Sequence, residues 1–179
     1  MKFLTKIGLK AENIVMDFGC GSGHYSLPAA QVVGKGGKVF AAEEDGKLLI
    51  ELKTRAHREA LRNIEIVNTH GRLEVDIPAN SVDVILAYDI LHYFDIPKRE
   101  RLYHEFRRIL REGGLFSVYP KHNRDDFPLR ELANLTLEEV IAEIRKAGFL
   151  LLEIHSEKLI HDESYNQGSI LNFSPSTKI

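Results

Sequence analysis

The chain has 179 residues, 44% hydrophobic and 28% charged, the length and balance of one globular domain that buries roughly two-thirds of its unfolded surface. A formal net charge of −2 leaves no broad basic field to hold phosphates, so no nucleic-acid partner is expected. One cysteine, Cys20, excludes a disulfide framework and a multi-cysteine metal site, and the eight histidines are dispersed without paired ligand spacing, so no metal is inferred.

Residues 1–13 form a short arm or helix around Phe3, Leu4, Ile7 and Leu9, without the apolar core of a signal peptide. No run approaches the ~20 apolar residues of a bilayer span. The expectation is a cytoplasmic protein whose residues 1–179 make a single domain. Ile14, Val15 and Phe18 lie in an apolar run without polar alternation, which predicts a central parallel strand buried on both faces. The run ends in Asp17-Phe18-Gly19-Cys20-Gly21-Ser22-Gly23 and opens a helix over 25–33, stopped by Gly34. Glycines at alternate positions reverse the chain and let a ligand lie against bare backbone. The N–H groups that start the helix favour a negatively charged ligand group. Cys20 reads as a small packing residue in this turn rather than a nucleophile.

Two nucleotide chemistries compete for such a turn. The dinucleotide fingerprint places its third glycine or alanine three residues after the second. Here that position is His24, too large for close helix–strand packing, and the glycine comes one residue early at Gly23. A second apolar strand over 38–42 ends in Glu43-Glu44-Asp45. Glu43 directly follows the strand, where a carboxylate can accept from both hydroxyls of a ribose; the alternative is an acidic turn capping the next helix. Residues 47–61 repeat Leu48, Leu49, Leu52, Ala56 and Ala60 as one buried stripe, with Glu51, Lys53, Arg55, Arg58 and Glu59 on a solvated face. Strands are predicted over 64–67 and 82–87, a helix over 98–110 and a strand over 115–118. A capped helix follows from Thr136, and the last strands cover 149–154 and 169–173, joined through 158–168. The arginines of the 98–110 helix alternate with Glu100, Glu105 and Glu112 and read as a solvated face.

Acid-x-Gly-x-Gly-x-Gly resembles the first motif of class I S-adenosylmethionine-dependent methyltransferases. Ser81-Val82-Asp83-Val84-Ile85-Leu86-Ala87, followed three residues later by Leu91-His92, looks like the fourth-strand motif of the members that methylate small molecules, including quinone precursors and sterols. Arg107 to Val118 resembles that family's helix, double-glycine turn and fifth strand. The resemblance runs from about Ile14 to Phe173. It implies a Rossmann-like α/β fold, doubly wound, with a mostly parallel seven-stranded sheet, helices on both faces and an antiparallel last strand. It implies S-adenosyl-L-methionine as cofactor, with S-adenosyl-L-homocysteine as product. Gly19, Cys20, Gly21 and Gly23 would hold the methionine moiety, and Asp17 would orient the loop or the cofactor amino group. Glu43 would take the ribose and Glu44 would sit beside the adenine. Related enzymes carry an acid and an apolar residue after the third strand. This chain departs from that pattern, and Gly71, Arg72 and Leu73 are the nearest equivalents by position. Tyr88 would offer its carbonyl to the cofactor. Ligands of open parallel sheets bind at the carboxyl ends of the strands, where Asp17, Glu43, Leu73 and Tyr88 all fall.

Methyl transfer from a sulfonium needs an in-line nucleophile, so positioning supplies most of the rate. A base is needed only for an acceptor protonated at working pH, and the candidates are Asp89, His92, Tyr93 and His122; His92 alternatively packs at a helix start. No Asn-Pro-Pro-Tyr motif is present. The lone cysteine disfavours the similar arsenic-methylating enzymes, which need several. The expected reaction is methyl transfer to a small organic acceptor. The alternatives are a non-catalytic S-adenosylmethionine-binding module or subunit of a larger complex, and a nicotinamide-dependent oxidoreductase.

Overall fold

The structure is a computed structural model describing residues 2–161 and 164–176. In chain order its elements are α1 (Lys2–Lys6), β1 (Ile14–Phe18), α2 (Ser26–Val33), β2 (Lys38–Glu43), α3 (Gly46–Arg58), β3 (Ile64–Asn68) and β4 (Val82–Tyr88). They continue with α4 (Ile96–Ile109), β5 (Leu110–Tyr119), α5 (Leu137–Lys146), β6 (Phe149–His161) and β7 (Ser164–Pro175). The strands form one seven-stranded sheet in the order β3-β2-β1-β4-β5-β7-β6. The pairs from β3 to β5 are parallel, and β7 runs antiparallel to both neighbours. This is the doubly wound sheet with an antiparallel last strand expected from the sequence. Strand order reverses beside β1, between β2 and β4, so the ligand crevice falls at the carboxyl ends of these three strands.

Neighbouring residues of β1 point to opposite faces of the sheet. Met16 joins Ile85, Phe106 and Phe116 in one core, while Val15 joins Val33, Val39 and Leu86 in the other. Both cores are hydrophobic, which explains why the central strands carry no polar alternation. Thr136 caps α5 in a reciprocal box with Glu139, as the sequence predicted. The Gly113-Gly114 pair lies inside β5, where the register to β4 slips between Val82 and Val84; a bulge replaces the expected turn.

The connection predicted over 158–168 is mostly strand. Lys158 pairs Gln167, Leu159 pairs Asn166 and Ile160 pairs Tyr165 in a long ribbon; Asp162 and Glu163 lie outside the described residues. Two contacts hold this extension down. Leu159 is buried in the cluster that contains Tyr25, Tyr88 and Tyr119. The Tyr25 hydroxyl also bonds both the N–H and the carbonyl of Ile160, at 3.1 Å each. Among the described residues no helix is long and apolar enough to cross a membrane.

Candidate active site

The glycine turn is tied to the end of β2, because the N–H groups of Gly19 and Cys20 both donate to the Ala42 carbonyl, at 2.8 and 3.0 Å. Its glycines serve two purposes. A Cβ on Gly19 would lie 2.3 Å from Ile90 Cγ2 and one on Gly23 2.2 Å from Leu52 Cδ1, so at both positions the backbone packs too closely for a side chain. Gly21 also has positive φ but faces open space, leaving room where a ligand approaches. Cys20 is buried, and burial pushes its thiol up, away from the thiolate a nucleophile needs. The packing reading of Cys20 therefore fits.

Asp17 is buried beneath the turn rather than on the cavity wall, and the Ser26 hydroxyl at the start of α2 donates to it at 2.5 Å. Burial raises its carboxyl to about 7, against the opposing Ser26 hydrogen bond. Arg55, assigned to a solvated face from sequence, instead reaches back from α3 to the Ser22 carbonyl and hydroxyl at 2.9 and 3.1 Å, bracing the turn. No local periodicity marks that contact, since it depends on how α3 packs against the loop. Arg99 is a second departure from the solvated-face reading. It is fully buried in a bidentate pair with Glu143 at 2.7 and 2.8 Å.

The Glu43 carboxylate gathers backbone N–H groups from its own turn and from the glycine turn. One carboxylate oxygen accepts from the N–H groups of Glu44 and Asp45 at 2.8 and 3.0 Å, and the other accepts from Gly21 at 3.1 Å. Asp45 itself caps α3. Glu43 thus sits at the opening of α3 with its carboxylate on the wall of a cavity of about 920 Å³. Gly19, Cys20, Gly21, Glu44 and Tyr88 line the same cavity, as do Arg72 and Leu73 beyond β3. Of the site residues named from sequence, Asp17, Gly23, His92 and His122 do not line it. Asp17 and Gly23 act beneath the loop, through Ser26 and Leu52. Sequence reasoning missed Thr69, Phe94, Lys98, Arg101 and Ile160, which complete the wall from four other segments. Only the tertiary fold brings them together.

At the far end of the cavity Asp89 takes a left-handed backbone conformation just past β4, its N–H donating to the Tyr119 carbonyl at 3.0 Å. Behind it lie His92, on a short 3-10 turn over Leu91–Tyr93, and His122, in the loop after β5. Asp89 Oδ1 is 3.5 Å from His92 Nδ1 and 3.7 Å from His122 Nε2. The two imidazoles are buried and meet edge to face at 4.5 Å. Of the four candidate bases, Asp89 and Tyr93 line the cavity, while His92 and His122 pack underneath.

A seven-stranded sheet of this order, with a glycine turn and an acid bordering one crevice, defines the class I methyltransferase architecture. A family model described as a methyltransferase domain matches residues 15–114, more than half of the chain. The chain belongs to that family, the S-adenosylmethionine-dependent methyltransferases. It is 29% identical over 172 residues to a sterol 24-C-methyltransferase of Gibberella zeae, covering 86% of this chain and 43% of that protein. A sterol 24-C-methyltransferase of Aspergillus fumigatus is 28% identical over 171 residues, covering 86% and 44%. The chain thus spans less than half the length of these curated relatives. Among solved structures, a SAM-dependent methyltransferase from Aquifex aeolicus superposes with a TM-score of 0.76 at 22% identity, covering 96% of this chain and 87% of that one. The [4+2]-cyclase SpnF superposes equally well, at 0.76 and 14% identity, covering 99% and 81%. The fold alone therefore does not define the reaction.

Proposed function

We propose that this domain binds S-adenosyl-L-methionine in the 920 Å³ cavity and moves its methyl group to a small organic acceptor, releasing S-adenosyl-L-homocysteine. The observation that carries this reading is convergence: positions singled out at the ends of β1, β2 and β4, with those just beyond β3, border one crevice beside the switch point of the sheet. In this reading the Glu43 carboxylate accepts from the ribose hydroxyls, and the backbone from Gly19 to Gly21 receives the methionine moiety. Leu73, Arg72 and Glu44 border the adenine, and the Tyr88 carbonyl takes the cofactor amino group. Asp17 and Gly23 support the loop from below. The sterol-methylating relatives favour a small-molecule acceptor.

The reaction is a displacement, so the protein's main contribution is to hold the acceptor atom in line with the methyl group and to exclude water. Asp89 faces the acceptor end and would orient an acceptor hydroxyl or amine, or take its proton, with His92 behind it as a positioning group. Calorimetric titration with S-adenosyl-L-methionine, S-adenosyl-L-homocysteine and, as control, NADH tests the binding site. Micromolar affinity for both sulfur ligands and none for NADH is expected; NADH binding alone would restore the oxidoreductase reading. Transfer of labelled methyl groups to small molecules of a cell extract then tests the reaction. Cofactor binding without any transfer would support the non-catalytic module instead.

A further inference from the structure

We propose that Asp89, His92 and His122 form a binding site for a divalent transition-metal ion of zinc-like preference at the acceptor end of the cavity. The three offer one carboxylate oxygen and two imidazole nitrogens, all within 4.8 Å of one another. Two imidazoles and one carboxylate are the donor set of catalytic zinc sites and of non-haem iron sites that keep a position open for substrate. The separations support this use. Asp89 Oδ1 stands 3.5 Å from His92 Nδ1 and 3.7 Å from His122 Nε2. Two ligands bonded to one tetrahedral ion at about 2.0–2.1 Å lie roughly 3.3–3.4 Å from each other, so a shift of a few tenths of an ångström brings the carboxylate and either imidazole onto one ion, and the two imidazoles, within 4.8 Å of each other, close further as both turn toward it.

Second, His122 is oriented for ligation. Its Nδ1 lies 2.7 Å from the Phe127 carbonyl oxygen. A carbonyl only accepts, so Nδ1 carries the proton, which leaves the lone pair of a neutral ring on Nε2, the atom facing Asp89. A ring nitrogen fixed by a backbone carbonyl is the usual outer support of a metal-bound histidine. The loop that supplies this carbonyl is pinned by Lys121, which is buried, paired to Asp126 at 2.5 Å and stacked over Phe127 at 4.5 Å. That pairing also neutralises the lysine beside the cluster. Asp89 and His122 both hold left-handed backbone, a conformation that side chains other than glycine avoid unless their surroundings impose it. Asp89 is the member of the cluster that lines the cavity, so an ion held by it lies at the cavity's edge. An oxygen or sulfur atom of the acceptor is the ligand suited to that ion. The expectation of no metal rested on spacing along the chain, and this cluster joins a pair three residues apart to a histidine thirty residues on.

The metal site stands on this geometry alone, while its role in catalysis rests on the methyl-transfer reading. The test is titration of the tag-free, chelator-stripped chain with cobalt(II), followed by its visible absorption bands and by competition with zinc(II). One cobalt(II) per chain at micromolar affinity, with the intense bands of a four-coordinate site, is expected. Asp89→Asn and His122→Ala should each weaken binding by at least the roughly 10–100-fold that even outer-sphere changes bring. His104→Ala, at an exposed histidine of α4, should leave it unchanged. Thermal unfolding checks that each variant folds; Asp89→Asn, equal in size, carries the test if His122→Ala does not. Absence of binding up to millimolar cobalt(II), or affinity undiminished in Asp89→Asn, overturns the proposal. Titration of the same samples with S-adenosyl-L-methionine separates the two readings. Cobalt binding without cofactor binding upholds the metal site and sinks the methyl-transfer reading, and the reverse result does the opposite.

Discussion

The two ends of the cavity are built from different materials. The end beside β1 and β2 is mostly backbone: glycines without side chains, N–H groups turned to Glu43, and supports such as Asp17, Arg55 and Leu52 placed underneath. At the end beyond β4 and β5 a side chain, the Asp89 carboxylate, lines the cavity, with two imidazoles and a neutralised lysine packed behind it, and Asp89 and His122 hold left-handed backbone. A backbone wall accepts one ligand and tolerates little change in sequence. A side-chain wall can be rewritten residue by residue, which suits an end that selects among acceptors.

Substitution in the turn tests the backbone wall most severely. Gly19→Ala places a methyl group against the stiff β-branched Ile90 at positive φ, and we expect stability to fall by roughly 1–3 kcal/mol in urea unfolding, together with cofactor binding. Gly21→Ala meets no atom within 4 Å, so it should fold with a loss of only about 1 kcal/mol yet bind cofactor poorly. Equal effects of the two would erase the distinction between packing and ligand-facing glycines. Glu43→Ala should weaken S-adenosyl-L-homocysteine by roughly 10-fold or more, the size of one charged hydrogen bond. Unchanged affinity in calorimetry would move the ribose to Glu44 or Asp45.

Asp17 gives a pH test. Its carboxyl is raised to about 7 in the folded chain from an ordinary value of 3.8. Below about pH 4 both states keep the proton and the residue contributes nothing. Between about 4 and 7 only the unfolded state releases it, so this site lowers stability as pH rises, levelling off above 7. Asp17→Asn removes that slope. The variant should therefore gain on the parent by on the order of 2 kcal/mol between pH 5 and pH 8, and parallel pH profiles would exclude the buried-proton picture. The smallest effect is expected of Arg55→Ala, which removes a brace and leaves the wall intact: a few-fold loss of cofactor affinity, with no loss placing Arg55 outside the loop's support.

The same division explains what the sequence discloses. Asp17, the glycines and Glu43 sit within one strand–turn–helix–strand unit, so spacing alone locates the crevice and the order of the first elements. Tyr88 and Asp89 follow from the end of β4 in the same way. The rest of the wall escapes such reading because its members are distant in the chain: Ile160 near the end of β6, Lys98 and Arg101 on α4. The β6–β7 ribbon is longer than the sequence predicts because the polar runs 155–158 and 166–169 interrupt the apolar residues that mark a strand. Arg99 looked solvated because its partner Glu143 comes from α5, across the packed interface.

The Tyr25 hydroxyl deserves a mechanical description. It sits where the glycine turn becomes α2, and it clasps both polar groups of Ile160, a residue 135 positions away that also borders the cavity. The earliest and latest parts of the crevice rim are thereby buckled together by one phenol. The turn and the ribbon therefore share one fastening, and removal of that single hydroxyl would untie both at once.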